Sequence, residues 1–132
     1  MPGPFIVKTI LRIHDGKAAA LRPLAEEFCQ LAEEWEPRLL AFHVYATDDE
    51  TSEAVIQFHP DAESMQHHLQ VLGEKARATA DYCDFERLEI YGELNEALRD
   101  WLPHVIEGIE FKLYSTHWGG FTRLQPVDES GA

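Results

Sequence analysis

Several predicted strands of this sequence carry histidine, tyrosine or arginine side chains at alternate positions, among apolar residues. Seven histidines occur in 132 residues. Imidazole and phenol groups exchange protons near neutral pH when burial shifts their pKa values, which suits acid–base chemistry on an enolisable or phenolic ligand. The candidates are His43, Tyr45, His59, Arg87 and Tyr91 on strands, with His68 on a helix at their rim. In an alternative interpretation, His43 and Tyr45 have no role in chemistry and are polar residues with satisfied hydrogen bonds at a dimer interface.

The spacing of the histidines does not favour a metal site. His67 and His68 are adjacent, about 100° apart on a helix, and cannot both face one ion. His43 and His59 lie on neighbouring predicted strands and could approach each other, but no carboxylate at a matching spacing completes a ligand set. The sequence also lacks the GxGxxG, GxxxxGK[ST], GxSxG, HExxH and EF-hand patterns of well-marked nucleotide, hydrolase, protease and calcium sites.

Composition narrows the class of protein. The chain has 24 acidic and 11 basic residues and a formal net charge of −13, which disfavours binding to nucleic acid or to an anionic membrane surface. No apolar run approaches the ~20 residues that span a bilayer, and no signal-peptide pattern is present, so a cytoplasmic protein is expected. Cys29 and Cys83 lack disulfide-scaffold or metal-ligand spacing and are expected to be reduced.

The elements that position these residues follow from hydrophobic periodicity. Alternating or β-branched segments predict strands over 5–13, 39–45, 53–59, 85–94 and 109–116. Apolar residues three and four apart predict a helix that ends before Pro37, with Glu36 on its solvated face, and a second helix capped by Asp61. Asn95 is expected to cap a short third helix that Pro103 ends.

The order β-α-β-β-α-β predicts an α+β, ferredoxin-like fold, in which two helices cover one face of an antiparallel sheet. A single domain over 1–132 is expected, with a core at about 5–94, a C-terminal extension at 95–124 and a frayed tail at 125–132. The sheet face without helices presents apolar and aromatic residues. A second copy of the chain is expected to cover that face, which predicts a homodimer.

The residues around the predicted hairpin resemble a known family. Glu36-Pro37, the strand at 40–45, an acidic turn, the segment 55–61 and a helix carrying His68-Leu69 resemble antibiotic-biosynthesis-monooxygenase-like proteins of the dimeric α/β-barrel superfamily. The resemblance covers roughly Phe5 to Leu94. It implies a homodimer, a dimeric α/β barrel, in which each subunit's sheet and helices enclose a largely apolar pocket.

The resemblance also implies a function. Enzymes of this family oxygenate polycyclic aromatic or quinol-like substrates without metal or flavin, by letting the deprotonated substrate react with O₂, and other members degrade haem. Haem-degrading members carry Asn, Trp and His where this chain has Thr9, His68 and Ala78, so the chain departs from that pattern. The implied function is binding, and cofactor-free oxygenation, of a hydrophobic aromatic metabolite. The alternative is a non-catalytic ligand-binding or interaction module of the same fold.

This interpretation assigns roles to the candidate residues. His43 and His68 are predicted to transfer protons, and the residues predicted to position the ligand are Thr9, Tyr45, His59, Arg87 and Tyr91. The sequence leaves open which sheet face lines the pocket. Lys8 and Arg12 favour one face, whereas Thr9, which stands where haem-degrading members carry Asn, favours the other. A mostly apolar pocket of about 300 Å³ or more, with His43 or His68 in its wall, would favour ligand chemistry.

Overall fold

Between residues 3 and 123, nine segments of regular structure build the fold. The computed structural model describes residues 3–123. The strands are β1 (Phe5–Ile13), β2 (Ala41–Ala46), β3 (Ser52–His59), β4 (Cys83–Tyr91) and β5 (Glu110–Tyr114). The helices are α1 (Ala18–Trp35), α2 (Ala62–Arg77) and α3 (Glu96–Val105), and a 3₁₀ turn over Ala78–Asp81 precedes β4. The predicted tail at 125–132 lies outside the described residues.

The strands form one sheet in the order β2-β3-β1-β4-β5. All neighbouring pairs are antiparallel except β4 and β5, which run parallel because α3 carries the chain back between them. The predicted ferredoxin-like fold is confirmed. The C-terminal extension adds β5 to the sheet edge beside β4. None of the helices formed by residues 3–123 is long and apolar enough to cross a membrane.

The two faces of the sheet differ in what covers them. Along β1, Val7, Thr9 and Leu11 are buried on the face that the helices cover, here called the helix face, while Lys8 and Arg12 project from the other, the open face. The core on the helix face has one cluster under α2 and α3, containing Met65 and Leu98, and a second under α1, containing Leu21. The predicted uncovered face is therefore present.

Two predicted helix caps are confirmed, and one predicted helix end is wrong. The Asp61 carboxylate accepts a hydrogen bond from the Ser64 backbone N–H at 3.0 Å, and Asn95 accepts one from the Leu98 N–H at 2.9 Å. Pro103 lies inside α3 rather than ending it. Proline lacks a backbone donor, but the Ile106 N–H still donates to the Leu102 carbonyl, so the last turn closes.

A β-bulge changes the predicted alternation of β4. The register between β1 and β4 shifts between Ile10, which pairs with Arg87, and Leu11, which pairs with Phe85. One extra residue of β4 is accommodated there, so Phe85 points to the helix face together with Leu88. The prediction that Phe85 and Arg87 share a face is wrong. The strand bounds also differ, because β2 begins at Ala41 and β4 spans Cys83–Tyr91.

Candidate active site

A cavity of about 120 Å³ lies between the helices and the sheet. Its walls are mainly apolar side chains of α1, β2, β3 and β4, among them Leu21, Phe28, Phe42, Val55 and Phe85. The polar side chains that reach it are Thr9, Glu53, Gln57, His68 and Thr79. The cavity therefore lies on the helix face, which is the face that the comparison of Thr9 with the Asn of haem-degrading members favoured.

His68 is held in this cavity by a buried carboxylate. Its Nδ1 is 2.7 Å from Oε2 of Glu36, and the two side chains are 7% and 1% exposed. Since a carboxylate only accepts, Nδ1–H donates this bond, and in the neutral ring the free lone pair is then on Nε2. No hydrogen bond joins Nε2 to another residue within 3–123. A base oriented by a carboxylate is the arrangement that proton-transfer sites use.

Aromatic rings surround His68 on the cavity side. Phe28 and Phe42 are stacked, with ring centroids 5.5 Å apart, and the centroid of His68 lies 6.0 Å from the first and 5.9 Å from the second. Aromatic pairs at such separations pack favourably. This wall suits a flat aromatic ligand placed within reach of the imidazole.

His59 lies against His68, with ring centroids 6.0 Å apart, and both of its ring nitrogens have hydrogen-bond partners. Nδ1 lies 2.7 Å from the Ser64 hydroxyl oxygen, and Nε2 lies 2.9 Å from Oε1 of Gln57. Burial, together with the neighbouring His68, lowers the pKa of His59 to about 3. In the resulting neutral ring, Nε2–H donates to Gln57 and Nδ1 accepts from Ser64. His59 therefore positions its neighbours and leaves no nitrogen for a ligand.

Two buried acids escaped the sequence predictions. Glu36 was expected on the solvated face of α1, and this is wrong. The helix ends at Trp35, and the changed backbone direction at Glu36 leaves its side chain buried against α2. No periodicity marks such a residue. Glu53 continues the alternation of Val55 and Gln57 on β3, so an extension of that pattern by two residues would have placed it on the helix face.

The sheet divides the predicted site into two groups. Thr9, His59 and His68 lie together on the helix face. Tyr45 and Arg87 belong to one row of the open face, separated by two intervening strands and so by about 14 Å. His43 and Tyr91 also lie on the open face, so the suggested approach of His43 to His59 is wrong.

The groups on the open face have their own partners. The His43 and Tyr45 rings lie 6.1 Å apart, and both side chains are exposed. The Tyr91 hydroxyl donates to Oε1 of Glu89 at 2.6 Å, which together with desolvation raises the pKa of Tyr91 to about 12. Its phenol therefore keeps its proton at neutral pH. The proton-transfer role of His43 stays a prediction, since His43 does not line the cavity but lines a groove beside it.

A wide groove adjoins the cavity. It has a volume of about 720 Å³ and runs between α1, β2 and the β2–β3 turn. The residues that line both spaces are Leu21, Ala25, Phe42, Val44 and Glu53. The cavity and the groove are therefore adjacent. Within residues 3–123, no three His, Cys, Asp or Glu side chains are grouped as a metal ion would require.

Comparison with solved structures places this fold among known proteins. MupZ from Pseudomonas fluorescens superposes with a TM-score of 0.72 at 16% identity, over 96% of this chain and 99% of that one. SnoaB from Streptomyces nogalater, a cofactor-independent oxygenase, gives a TM-score of 0.59 at 14% identity over 70% of this chain and 95% of its own. The fold is that of the antibiotic-biosynthesis-monooxygenase-like proteins. No family model matches the sequence, and neither does any curated protein.

The solved structures differ in how much of this chain they cover. Rv0793 from Mycobacterium tuberculosis matches with a TM-score of 0.57 at 13% identity, over 72% of this chain and 99% of that one. SnoaB covers a similar share of this chain, whereas MupZ matches nearly the whole chain. The similarity to MupZ thus includes most of the C-terminal extension.

Proposed function

We propose that this protein binds a hydrophobic aromatic metabolite in the cavity on the helix face, and that His68 removes a proton from it as the first step of a cofactor-free oxygenation. One observation carries the proposal. The buried imidazole of His68 lines a cavity with aromatic walls, while its Nδ1 is fixed by Glu36. The reaction class is supported by SnoaB, an oxygenase of the same fold.

The chemistry follows from the orientation of His68. Nε2 takes a proton from an acidic C–H group beside a carbonyl, and Glu36 stabilises the imidazolium that forms. The carbanion reacts with O₂ to give a peroxide anion on the same carbon, which takes the proton back from His68. The second C–H hydrogen and the terminal O–H group then leave as water, the O–O bond breaks, and the carbonyl remains. A methylene group and O₂ become a carbonyl and one water, so the substrate itself supplies all four electrons that reduce O₂ and both hydrogens of the water.

The volume of the cavity limits what can lie inside it. About 120 Å³ is less than the roughly 300 Å³ at which drug-sized ligand pockets begin, and it is close to a cavity of about 150 Å³ that holds one benzene ring. A polycyclic ligand would therefore place one ring beside His68 and extend along the adjoining groove. The small volume also favours the second candidate function, a non-catalytic module that binds a single-ring compound.

A second copy of the chain is the proposed partner. The open face carries half-buried apolar side chains, including Ile6, Ile10 and Phe58, with no helix over them. Both charge signs occur on the same face, as in the row that pairs Lys8 with Glu89, so two such faces can pair across a two-fold axis. Beyond β5, Trp118 and Phe121 are 96% and 80% exposed and offer further apolar surface to such a partner.

Oxygen uptake with an enolisable aromatic probe tests the catalytic proposal. Anthrone can be converted to anthraquinone and water by one O₂, and an oxygen electrode follows the uptake above the uncatalysed rate. We expect His68→Gln to lower the enzymatic rate by about 10²-fold or more, because it removes the base. His67→Gln, the adjacent exposed histidine of the same helix, should keep the wild-type rate.

The outcomes separate the candidate functions. Loss of the rate in His43→Gln, with retention in His68→Gln, would contradict the assignment of the base. Binding of single-ring compounds to wild-type protein, without oxygen uptake from any enolisable probe, would favour the non-catalytic module. Sedimentation of the wild-type chain as a monomer at micromolar concentration would contradict the homodimer.

A further inference from the structure

The side-chain amide of Gln57 is fixed at the wall of the cavity. Gln57 projects from β3 onto the helix face, is only 5% exposed and lines the cavity together with His68. Its Oε1 accepts a hydrogen bond from Nε2–H of His59 at 2.9 Å. Among residues 3–123, the hydrogen bonds of the Gln57 side chain involve Oε1 alone. The amide nitrogen, on the other arm of the same planar group, therefore keeps its two N–H donors for the cavity.

A series of hydrogen bonds sets the direction of this amide. Since Oε1 of Gln57 only accepts, the neutral His59 ring carries its proton on Nε2, and Nδ1 accepts from the Ser64 hydroxyl at 2.7 Å. Each donor in this series points towards the cavity, and successive hydrogen bonds polarise one another. A ring with its proton on Nδ1 would accept from the amide N–H and turn Oε1 to the cavity. The tautomer of His59 thus determines that a donor faces the ligand space.

Gln57 and His68 flank the same part of the cavity. Gln57 is the cross-strand partner of Phe42, and side chains paired in this way have Cβ atoms about 5 Å apart. The Phe42 ring packs against His68, with ring centroids 5.9 Å apart. His59 approaches both residues, through its hydrogen bond to Gln57 and its ring, which lies 6.0 Å from that of His68. A base and an amide donor therefore face one ligand position.

Removal of a proton beside a carbonyl creates a charge that this amide could receive. When His68 takes the proton, the C–H electron pair forms the C=C bond of an enolate, and negative charge moves to the carbonyl oxygen. In a cavity with mainly apolar walls, that charge is best stabilised by a donor already in place. Of the hydroxyl groups at the cavity, that of Thr79 donates to the Ala76 carbonyl, and that of Thr9 is free to rotate. The amide of Gln57 is the donor whose direction is held.

We propose that Gln57 is a second catalytic residue, whose amide N–H donates a hydrogen bond to the carbonyl oxygen of the ligand and stabilises the enolate that His68 generates. His59 and Ser64 are positioning residues that hold the amide in this direction. The inference rests on the proposed function, because it assumes that His68 removes a proton from the ligand. No bond of Gln57 breaks, and the proton stays on His68 until the peroxide anion takes it back.

Exchange of carbon-bound hydrogen for deuterium, without oxygen, measures enolate formation alone. The probe is 2-indanone, a neutral aromatic ketone with acidic methylene groups beside its carbonyl, and proton NMR in D₂O follows the loss of the methylene signal above the uncatalysed rate. We expect Gln57→Met, which keeps the side-chain length but has no N–H, to lower kcat for exchange about 10²-fold. KM should change by less than about threefold, because the donor acts mainly on the enolate. Gln70→Met, at an exposed position of α2, should keep the wild-type rate.

Nitrogen-15 NMR of the imidazole rings tests the direction of the amide in wild-type protein, whether or not the Gln57 variant folds. We expect the proton of the His59 ring on Nε2 at neutral pH. Ser64→Ala removes the donor to Nδ1, so the tautomer with its proton on Nδ1 should become populated. The kcat for exchange should then fall by a smaller factor than in Gln57→Met. A purely structural role of Ser64 would leave the tautomer unchanged.

The outcomes separate this inference from the proposed function. Exchange that is lost in His68→Gln but keeps the wild-type kcat in Gln57→Met would overturn the inference and leave the proposed function standing. A His59 ring with its proton on Nδ1 in wild-type protein would also overturn the inference. If wild-type protein does not accelerate exchange at all, the proposed function falls, and the inference falls with it.

Discussion

Acid should destabilise this protein through His59. Its pKa is lowered to about 3 in the folded chain, while a histidine in an unfolded chain has a pKa of about 6.5. Between these values the unfolded state binds a proton that the folded state does not. The stability that the neutral ring provides is therefore complete above pH 6.5 and is lost as the pH falls towards 3.

The size of the effect follows from the two pKa values. At pH 5 the unfolded histidine is about 1.5 pH units below its pKa, and each unit corresponds to about 1.4 kcal/mol. The free energy of unfolding should therefore fall by about 2 kcal/mol between pH 7 and pH 5 because of this one group. Urea unfolding at both pH values, followed by circular dichroism, measures the fall.

Variants isolate the contribution of His59. His59→Gln should show a fall between pH 7 and pH 5 that is about 2 kcal/mol smaller than in wild-type protein, whatever its stability at pH 7. His14→Gln should show a fall at least as large as that of wild-type protein, because the Asp84 hydrogen bond raises the pKa of His14, so that His14 stabilises the folded state as the pH decreases and its removal takes away that offset. If the His59 variant does not fold, NMR titration of the wild-type imidazole replaces it. Protonation of His59 near pH 6, or an unchanged fall in His59→Gln, would refute the buried neutral ring.

Three further predictions concern the core, the open face and a helix cap. Leu98→Ala should lower the free energy of unfolding by about 2–5 kcal/mol in urea, because Leu98 is 1% exposed in the main core cluster; a loss under about 1 kcal/mol would show that α3 is not packed there. Tyr91 should ionise near pH 12 in an absorbance titration that compares wild-type protein with Tyr91→Phe, since its hydroxyl bonds Glu89, and ionisation near pH 10 would contradict that bond. Asn95→Ala should cost about 1 kcal/mol in thermal or urea unfolding through the loss of its helix cap, and no change would mean that the cap contributes nothing in solution.

The fold was predictable because its signals are local. Three kinds of signal each act within a few residues: the alternation of β1, the caps at Asp61 and Asn95, and the apolar residues three and four apart in the first two helices. Together they determine the β-α-β-β-α-β order. The errors have equally local causes that single-sequence periodicity does not register. A β-bulge opposite Ile10 and Leu11 turns the Phe85 side chain to the other face of the sheet. Pro103 lies two residues before the end of α3, where the turn that follows it still closes.

The candidate site was only half predictable. Thr9 and His68 reach the same cavity, but their meeting depends on how α2 packs on the sheet, which is a tertiary property. His43 and His59 were expected to approach each other because they lie on neighbouring strands. Alternation within each strand does not give the register between two strands, and the register places the two histidines on opposite faces. Glu36 carried no periodic signal at all, since it lies just beyond the end of α1, where the chain changes direction.

The central claim is that a ligand binds on the helix face beside His68. Chemical-shift mapping by NMR during titration with hydroquinone, without oxygen, tests it directly. We predict that the imidazole of His68 and the amides of Thr9, Phe42 and Gln57 shift together and saturate at one ligand concentration. Shifts confined to residues of the open face such as His43, with His68 unchanged, would contradict the claim.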